Sequence, residues 1–206
     1  MHKILFYLAF ILFALTFFVK VPGLLAQQPG AAEDNATTLL QKAINAHSVG
    51  DNTTALQSLW EAEELIWNMG PMGVRNVAYI LTEPEYFSQY TPKVGETFLP
   101  NELLIFYCEP FGYTQRKNAD GTYSNSLMWS FNVLNVQGEP IGGQQDIGPY
   151  PHDGYRTFLT DKMLTLTISL SQIPPGSYIL QIILIDYLNP SHTVEIQKPF
   201  NLIVPE

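Results

Sequence analysis

The stretch IPPGSYILQIILIDY, residues 173–187, constrains the fold more than any other part of the chain. In an extended conformation Tyr178, Leu180, Ile182 and Leu184 point one way, and Ile179, Gln181, Ile183 and Ile185 the other. Both faces are mostly apolar, so a strand with this sequence needs cover on both sides. Gln181 interrupts the apolar run and Asp186 ends it, which excludes a membrane-spanning helix on length and charge. The expectation is a central strand between two layers. One face meets an opposing sheet, and the other meets a helical unit or a partner chain.

The residues ahead of the strand assign structural roles. In immunoglobulin-like sandwiches a tyrosine at such a corner turns its hydroxyl back onto upstream backbone. Gly176 leaves room for the corner, Tyr178 caps it, and Asp186 closes the strand. Elsewhere after residue 73 the apolar period is also two. ELLIFYCEP, SLMWSFNVLNV, MLTLTISL and HTVEIQKPFNLIV read as strands, with VAYI (77–80) and ETFL (96–99) as shorter ones. In the second, Leu127, Trp129, Phe131 and Val133 share a face. Asp120-Gly121 marks a tight turn, VQGEPIGG a turn with a Gly-rich return, and GPYPHDGYR (148–156) an irregular excursion. About seven strands with polar, Gly- and Pro-rich connections predict an antiparallel immunoglobulin-like β-sandwich over residues 74–206. No βαβ alternation occurs, which disfavours a doubly wound sheet.

The period is 3.6 over residues 36–70. Leu39, Ala43, Ala46 and Gly50 fall at helical spacing, as do Ala55, Leu59, Ala62, Ile66 and Met69. Asn52 or Thr53 is placed to cap a second helix, and Gly70-Pro71 to stop it. These residues predict an antiparallel helical hairpin turning at residues 49–52. It resembles a single tetratricopeptide unit with no second copy. One such unit cannot bury its own face, since roughly three make a solenoid, so the hairpin is expected to pack on the following domain.

Residues 1–26 read as an export signal. Lys3 opens the segment, residues 4–19 carry no charge, and Ala26 suits cleavage, although Leu24 sits where a small residue is preferred. An uncleaved anchor is the lesser alternative, because the run is slightly short for a bilayer. Residues 27–35 read as a spacer. Without Lys3 and Lys20, eight basic residues face nineteen acidic ones, a net charge of −11. That balance opposes nucleic-acid binding and adhesion to anionic membranes beyond an N-terminal anchor. Charged residues make up 14% of the chain, against about 25% in an ordinary soluble protein. The surface is therefore largely neutral-polar. Cys108 is the single cysteine, which excludes an intrachain disulfide and a Cys-rich metal site.

Four segments carry a family resemblance: FYCEPFGY (Tyr107, Glu109, Pro110, Gly112, Tyr113), GEPIGGQQDIG (Gly138, Gly143, Asp146, Gly148), PPGSYILQIILID (Gly176, Tyr178, Asp186) and KPFNLIV (Pro199, Phe200). Over residues 86–204 the chain resembles a group of uncharacterised exported bacterial proteins with a single immunoglobulin-like domain. The resemblance implies export and a sandwich. It brings no catalytic residues.

The chemistry-bearing motifs are sparse. No H-E-x-x-H, G-x-S-x-G, P-loop or dinucleotide fingerprint is present. Asp146, His152, Asp153 and Asp161 form the densest polar set. Oxygen-rich loops at a sandwich end can hold calcium, with Asp146 and Asp153 as ligands, although the spacing matches no EF-hand. Glu109 is read as a turn cap or a partner of Arg116. Tyr113, Tyr123, Tyr150 and Tyr155, with Phe111, fall in connections, where tyrosine suits recognition. The function expected is a non-enzymatic, exported binding or structural module of the cell envelope, cofactor-free, with a protein partner. The alternative is an exported hydrolase or carbohydrate-binding accessory domain built on the loop between Asp146 and Arg156.

Overall fold

A computed structural model describes residues 29–204, so the export segment expected over residues 1–26 lies outside the described residues. The chain begins with two helices, α1 (Pro29–Ser48) and α2 (Asn52–Trp67). The spacer expected over residues 27–35 is instead largely the start of α1. Pro29 opens the helix, where its missing N–H is no loss, and Ala31, Ala32 and Glu33 favour continuation. Asp51, one residue earlier than expected, caps α2: its side chain accepts from Thr54 N at 3.1 Å. Small side chains hold the two helices together, with Ala36, Ala43, Ala55, Ser58 and Ala62 buried. The apolar face expected on α2 divides at this point. Ala55 and Ala62 turn inward, whereas Leu59, Ile66 and Met69 stay exposed.

Nine strands follow among the described residues. They are β1 (Gly73–Ile80), β2 (Thr97–Phe98), β3 (Leu103–Phe111), β4 (Arg116–Lys117), β5 (Tyr123–Leu134), β6 (Pro140–Tyr155), β7 (Leu164–Ser169), β8 (Gly176–Asp186) and β9 (Thr193–Leu202). One sheet has the order β1-β3-β7, and the other β2-β9-β8-β5-β4, with β6 also paired to β5. The pairs are antiparallel except the short β2–β9 pair, which is parallel. The molecule is a mainly β, immunoglobulin-like sandwich preceded by a helical hairpin.

The core lies between the sheets. Leu104, Phe106 and Cys108 of β3 join Leu180, Ile182 and Leu184 of β8, with Leu127, Trp129 and Val133 of β5 in the same cluster. Each buried Leu or Ile contributes roughly 1.5–3 kcal/mol. Burial pushes the Cys108 thiol up to about 12, so it stays protonated and behaves as a small apolar side chain.

The hairpin does not cover the outer face of β8. Ile179, Gln181, Ile183 and Ile185 are half-buried, and their register neighbours are residues of β5 and β9 such as Leu134, Ser130, Met128 and Pro199. A row of hydrogen-bonded side chains crosses this face through four strands. Gln145 donates to Asn132 at 2.9 Å, Asn132 to Gln181 at 2.8 Å, and Gln181 to Glu195 at 2.8 Å. The hairpin sits at one end of the sandwich instead. Trp67 is its anchor: its Nε1 donates to the Tyr113 carbonyl at 2.8 Å, and its ring meets Phe158 edge-on at 5.6 Å. Gly112 permits the approach. It has φ +70°, and a Cβ there would lie 2.9 Å from the Pro71 carbonyl oxygen.

Candidate functional site

The tyrosines expected to form a recognition surface divide into two kinds. Tyr113 is fully buried and its hydroxyl donates to the Leu159 carbonyl at 2.8 Å. Tyr123 is also buried, and its hydroxyl donates to Glu64 at 2.9 Å, a second tie between sandwich and hairpin. Tyr113 is a packing residue, and Tyr123 packs at the junction of hairpin and sandwich. Tyr150 is exposed. Tyr155 is half-buried, with its hydroxyl 3.1 Å from His152 Nδ1. A ring buried at a junction and a ring in a binding loop have the same sequence signature, so position alone did not separate them.

The segment from Asp146 towards Arg156, expected to be an irregular loop, is mostly the second half of β6. Asp146 has φ +53° in this strand and its N–H donates to Ser130 Oγ at 3.0 Å. Among the described residues no group of three or more His, Cys, Asp or Glu side chains could hold a metal ion. Asp146, His152, Asp153 and Asp161 are therefore not drawn to one point.

The corner residues act as braces. Tyr178 hydroxyl donates to the Pro174 carbonyl at 2.7 Å, back across the turn. Asp186 is fully buried and accepts three backbone N–H groups, from Thr114 at 2.5 Å, Leu188 at 2.9 Å and Asn189 at 3.3 Å. It ties the loop after β3 to the turn after β8. Glu109, also buried, pairs with Arg75 rather than Arg116. Burial alone would raise its pKa. Hydrogen bonds from Tyr107, Asn76 and Arg75, together with the Arg75 charge, outweigh that and hold it below the usual carboxylate value.

Lys162, unmarked in the sequence, reaches into the same end of the sandwich. It donates to Asn125 Oδ1, and its ammonium lies 5.3 Å from the centroid of the Tyr113 ring. Burial drives its pKa down to about 8, against a raising contribution from Asp186. His152 is lowered in turn, first by burial and then by the Lys162 charge. Both line a hollow of about 230 Å3 with Leu127, Trp129 and Tyr150.

The prominent concavity is on the hairpin. Leu40 and Ile44 of α1 and Leu56, Leu59, Trp60 and Ile66 of α2 are all exposed, Trp60 by 66% and Ile44 by 61%. They line two adjoining hollows of about 640 and 380 Å3 that share Leu59. Phe111 and Gly112 of the sandwich close one end. Trp60 and Glu63 also border a third hollow of about 510 Å3, walled by Glu61, Glu64, Tyr123 and Arg156. The sequence contained a signal for this surface: both helices carry apolar residues on more than one face, and a two-helix unit can bury only one.

No model of a known protein family matches the chain, and no curated protein matches it. Some solved structures do. CopC from Methylosinus trichosporium OB3b is 13% identical over 64% of this chain and 97% of its own, with a TM-score of 0.31. The alkylpurine DNA glycosylase AlkC of Pseudomonas fluorescens is 9% identical over 82% of this chain and 42% of its own, with a TM-score of 0.36. The CARDB domain of a Pyrococcus furiosus protein is 13% identical over 54% of this chain and 89% of its own, with a TM-score of 0.28. Likenesses this remote carry no function across. Among the described residues, no helix is long and apolar enough to cross a membrane.

Proposed function

We propose that the protein is an exported, non-enzymatic binding module of the cell envelope, and that it docks a protein partner through the groove of its helical hairpin. The observation that carries this reading is the row of exposed apolar side chains along both helices, Leu40, Ile44, Leu56, Leu59, Trp60 and Ile66. Contiguous exposed apolar surface on this scale marks an interaction site more often than an ordinary surface. The charge-free stretch behind Lys3 supports export. The engaged polar groups support a non-enzymatic role: Asp186 and Tyr178 bond to backbone, and Glu109 to the Tyr107, Asn76 and Arg75 side chains.

A photo-crosslinking residue in place of Leu59, introduced into the full chain in its host, tests the proposal. The expected result is an adduct with one discrete protein, absent when the same group replaces Thr167 on the sandwich. Equal labelling at both positions, or none at either, would sink the reading.

A further inference from the structure

The chemistry around the groove specifies its occupant. Resting on the reading of the groove as a docking surface, we infer that the occupant is an amphipathic helical segment of another protein, about three turns long, with lysine or arginine along the flank that passes Glu61 and Glu63.

Length and backbone chemistry argue for a helix. From Leu56 to Ile66 the apolar row of α2 spans eleven residues, roughly 15 Å at the helical rise. Three turns of helix match that span and present anchors at i, i+3 or i+4, and i+7. The groove walls are side chains of two helices, and the backbones beneath them are already hydrogen-bonded. An extended peptide would find no ladder there and would leave its own N–H and C=O groups unpaired, whereas a helix satisfies them itself.

Charge argues for a basic flank. α2 contains Glu61, Glu63 and Glu64 and no lysine or arginine. Trp60 and Glu63 stand on the ridge between the apolar groove and the acidic hollow, so a helix in the groove sets one flank over these carboxylates. Tyr123 engages Glu64, and Gln57 donates to Glu61 at 3.2 Å. Glu63 makes no hydrogen bond or ion pair within the described residues. The C-terminal end of α2 adds partial negative charge on the same side. Arg156 is the single base on the wall of the hollow.

The same charges disfavour other occupants. The chain has a formal charge of −9, so a second copy is repelled. Its own helices offer no lysine- or arginine-lined flank either: α1 contains Lys42 and His47, and α2 no base. An anionic bilayer meets the same repulsion.

Three synthetic peptides test the inference, each about 16 residues so that the helix persists in water. They share one apolar stripe and carry lysine, serine or glutamate along one flank. Docking desolvates Trp60, so its emission should shift to the blue. The lysine peptide is expected to bind at least about tenfold more tightly than the glutamate peptide at low salt, with the ratio shrinking as salt screens it. In a Glu61→Lys, Glu63→Lys double variant, both positions being exposed, the preference should reverse. Leu59→Asp should weaken all three. Equal binding of the three peptides, still lost in Leu59→Asp, would overturn the basic-flank inference and leave the groove standing. If no peptide bound, or Leu59→Asp had no effect, both would fall. Sedimentation showing a dimer that Leu59→Asp dissolves, or binding to phosphatidylglycerol vesicles abolished by Leu59→Asp, would also overturn the inference.

Discussion

The indole Nε1 of Trp67 donates to the Tyr113 carbonyl at 2.8 Å, and the two rings meet edge-on with centroids 5.3 Å apart. This contact is the main fastening between hairpin and sandwich, reinforced by Tyr123 on Glu64 and by Gln115 N–H on Asn68 Oδ1 at 3.1 Å. A groove that binds a partner must be held in place, and the hydrogen-bonded indole fixes the orientation of α2.

Replacement of Trp67 should release the hairpin without unfolding the sandwich. Trp67→Phe loses the hydrogen bond and should cost about 1 kcal/mol. Trp67→Ala also empties the junction beside Phe158 and should cost about 3 kcal/mol. Hydrogen exchange distinguishes local from global loss. Amides of α2 should exchange faster in Trp67→Ala, while those of β8 stay protected. Equal acceleration in both elements would show that hairpin and sandwich unfold as one unit.

Asp186 should be among the most sensitive polar positions. Its buried carboxylate accepts from Thr114, Leu188 and Asn189. Removing it strands the Thr114 and Leu188 N–H groups, whereas Asn189 N–H keeps its bond to the Asp186 carbonyl at 3.1 Å. Asp186→Ala should lower stability by about 3–5 kcal/mol, and Asp186→Asn, which keeps one oxygen, by about 1–2 kcal/mol. Urea denaturation gives both values. A loss below about 1 kcal/mol for Asp186→Ala would mean that water reaches those donors.

Lys162 predicts a specific pH dependence. Its folded pKa, about 8, lies below the ordinary value of 10.5, with burial as the main cause. Between those two values the unfolded chain binds the extra proton, so stability rises with pH across that window. Below about pH 8 both states are charged and the full cost of burying the ammonium remains. The comparison is with Lys162→Met, which removes the titration. The stability of the wild-type chain minus that of the variant should climb from about pH 8 to about 10.5. A flat difference throughout would place the ammonium in water.

The sequence showed the sandwich wherever one strand face meets the core. β5, β7 and β9 alternate, because Leu127, Leu166 and Ile196 point inward, and β3 and β8 show as runs apolar on both faces, with Leu104 and Leu180 in the core. β6 was missed for the converse reason. It is an edge strand with nearly every residue exposed, and Asp146 and Gly148 at positive φ fall where its register with β5 shifts. Glycine, proline and exposure read as loop even where the ladder continues. The hairpin was legible in spacing but not in placement. Which of Ala55 and Leu59 turns inward depends on how closely α1 approaches, and that is set by Ala36 and Ala43 on the other helix. The partner of Glu109 was equally hidden, since Arg75 comes opposite it only through the β1–β3 register.

The corner before β8 offers a test of coupling between two neighbours. Tyr178 hydroxyl donates to Pro174 O at 2.7 Å, and a Cβ added at Gly176 would lie 3.2 Å from that same hydroxyl. Gly176 is therefore glycine to make room for the tyrosine, because its backbone lies outside the left-handed region. Tyr178→Phe should cost about 1 kcal/mol for the lost hydrogen bond. Gly176→Ala should cost a similar amount, because the methyl displaces the hydroxyl and loses the same bond. In the double variant the hydroxyl is already gone and the methyl occupies its space, so the two costs should not add. A double-mutant cycle by urea denaturation should show a coupling of about 0.5–1 kcal/mol, with the double variant more stable than the sum of the single losses predicts. Strict additivity would mean that Gly176 serves the turn itself rather than the tyrosine that braces it.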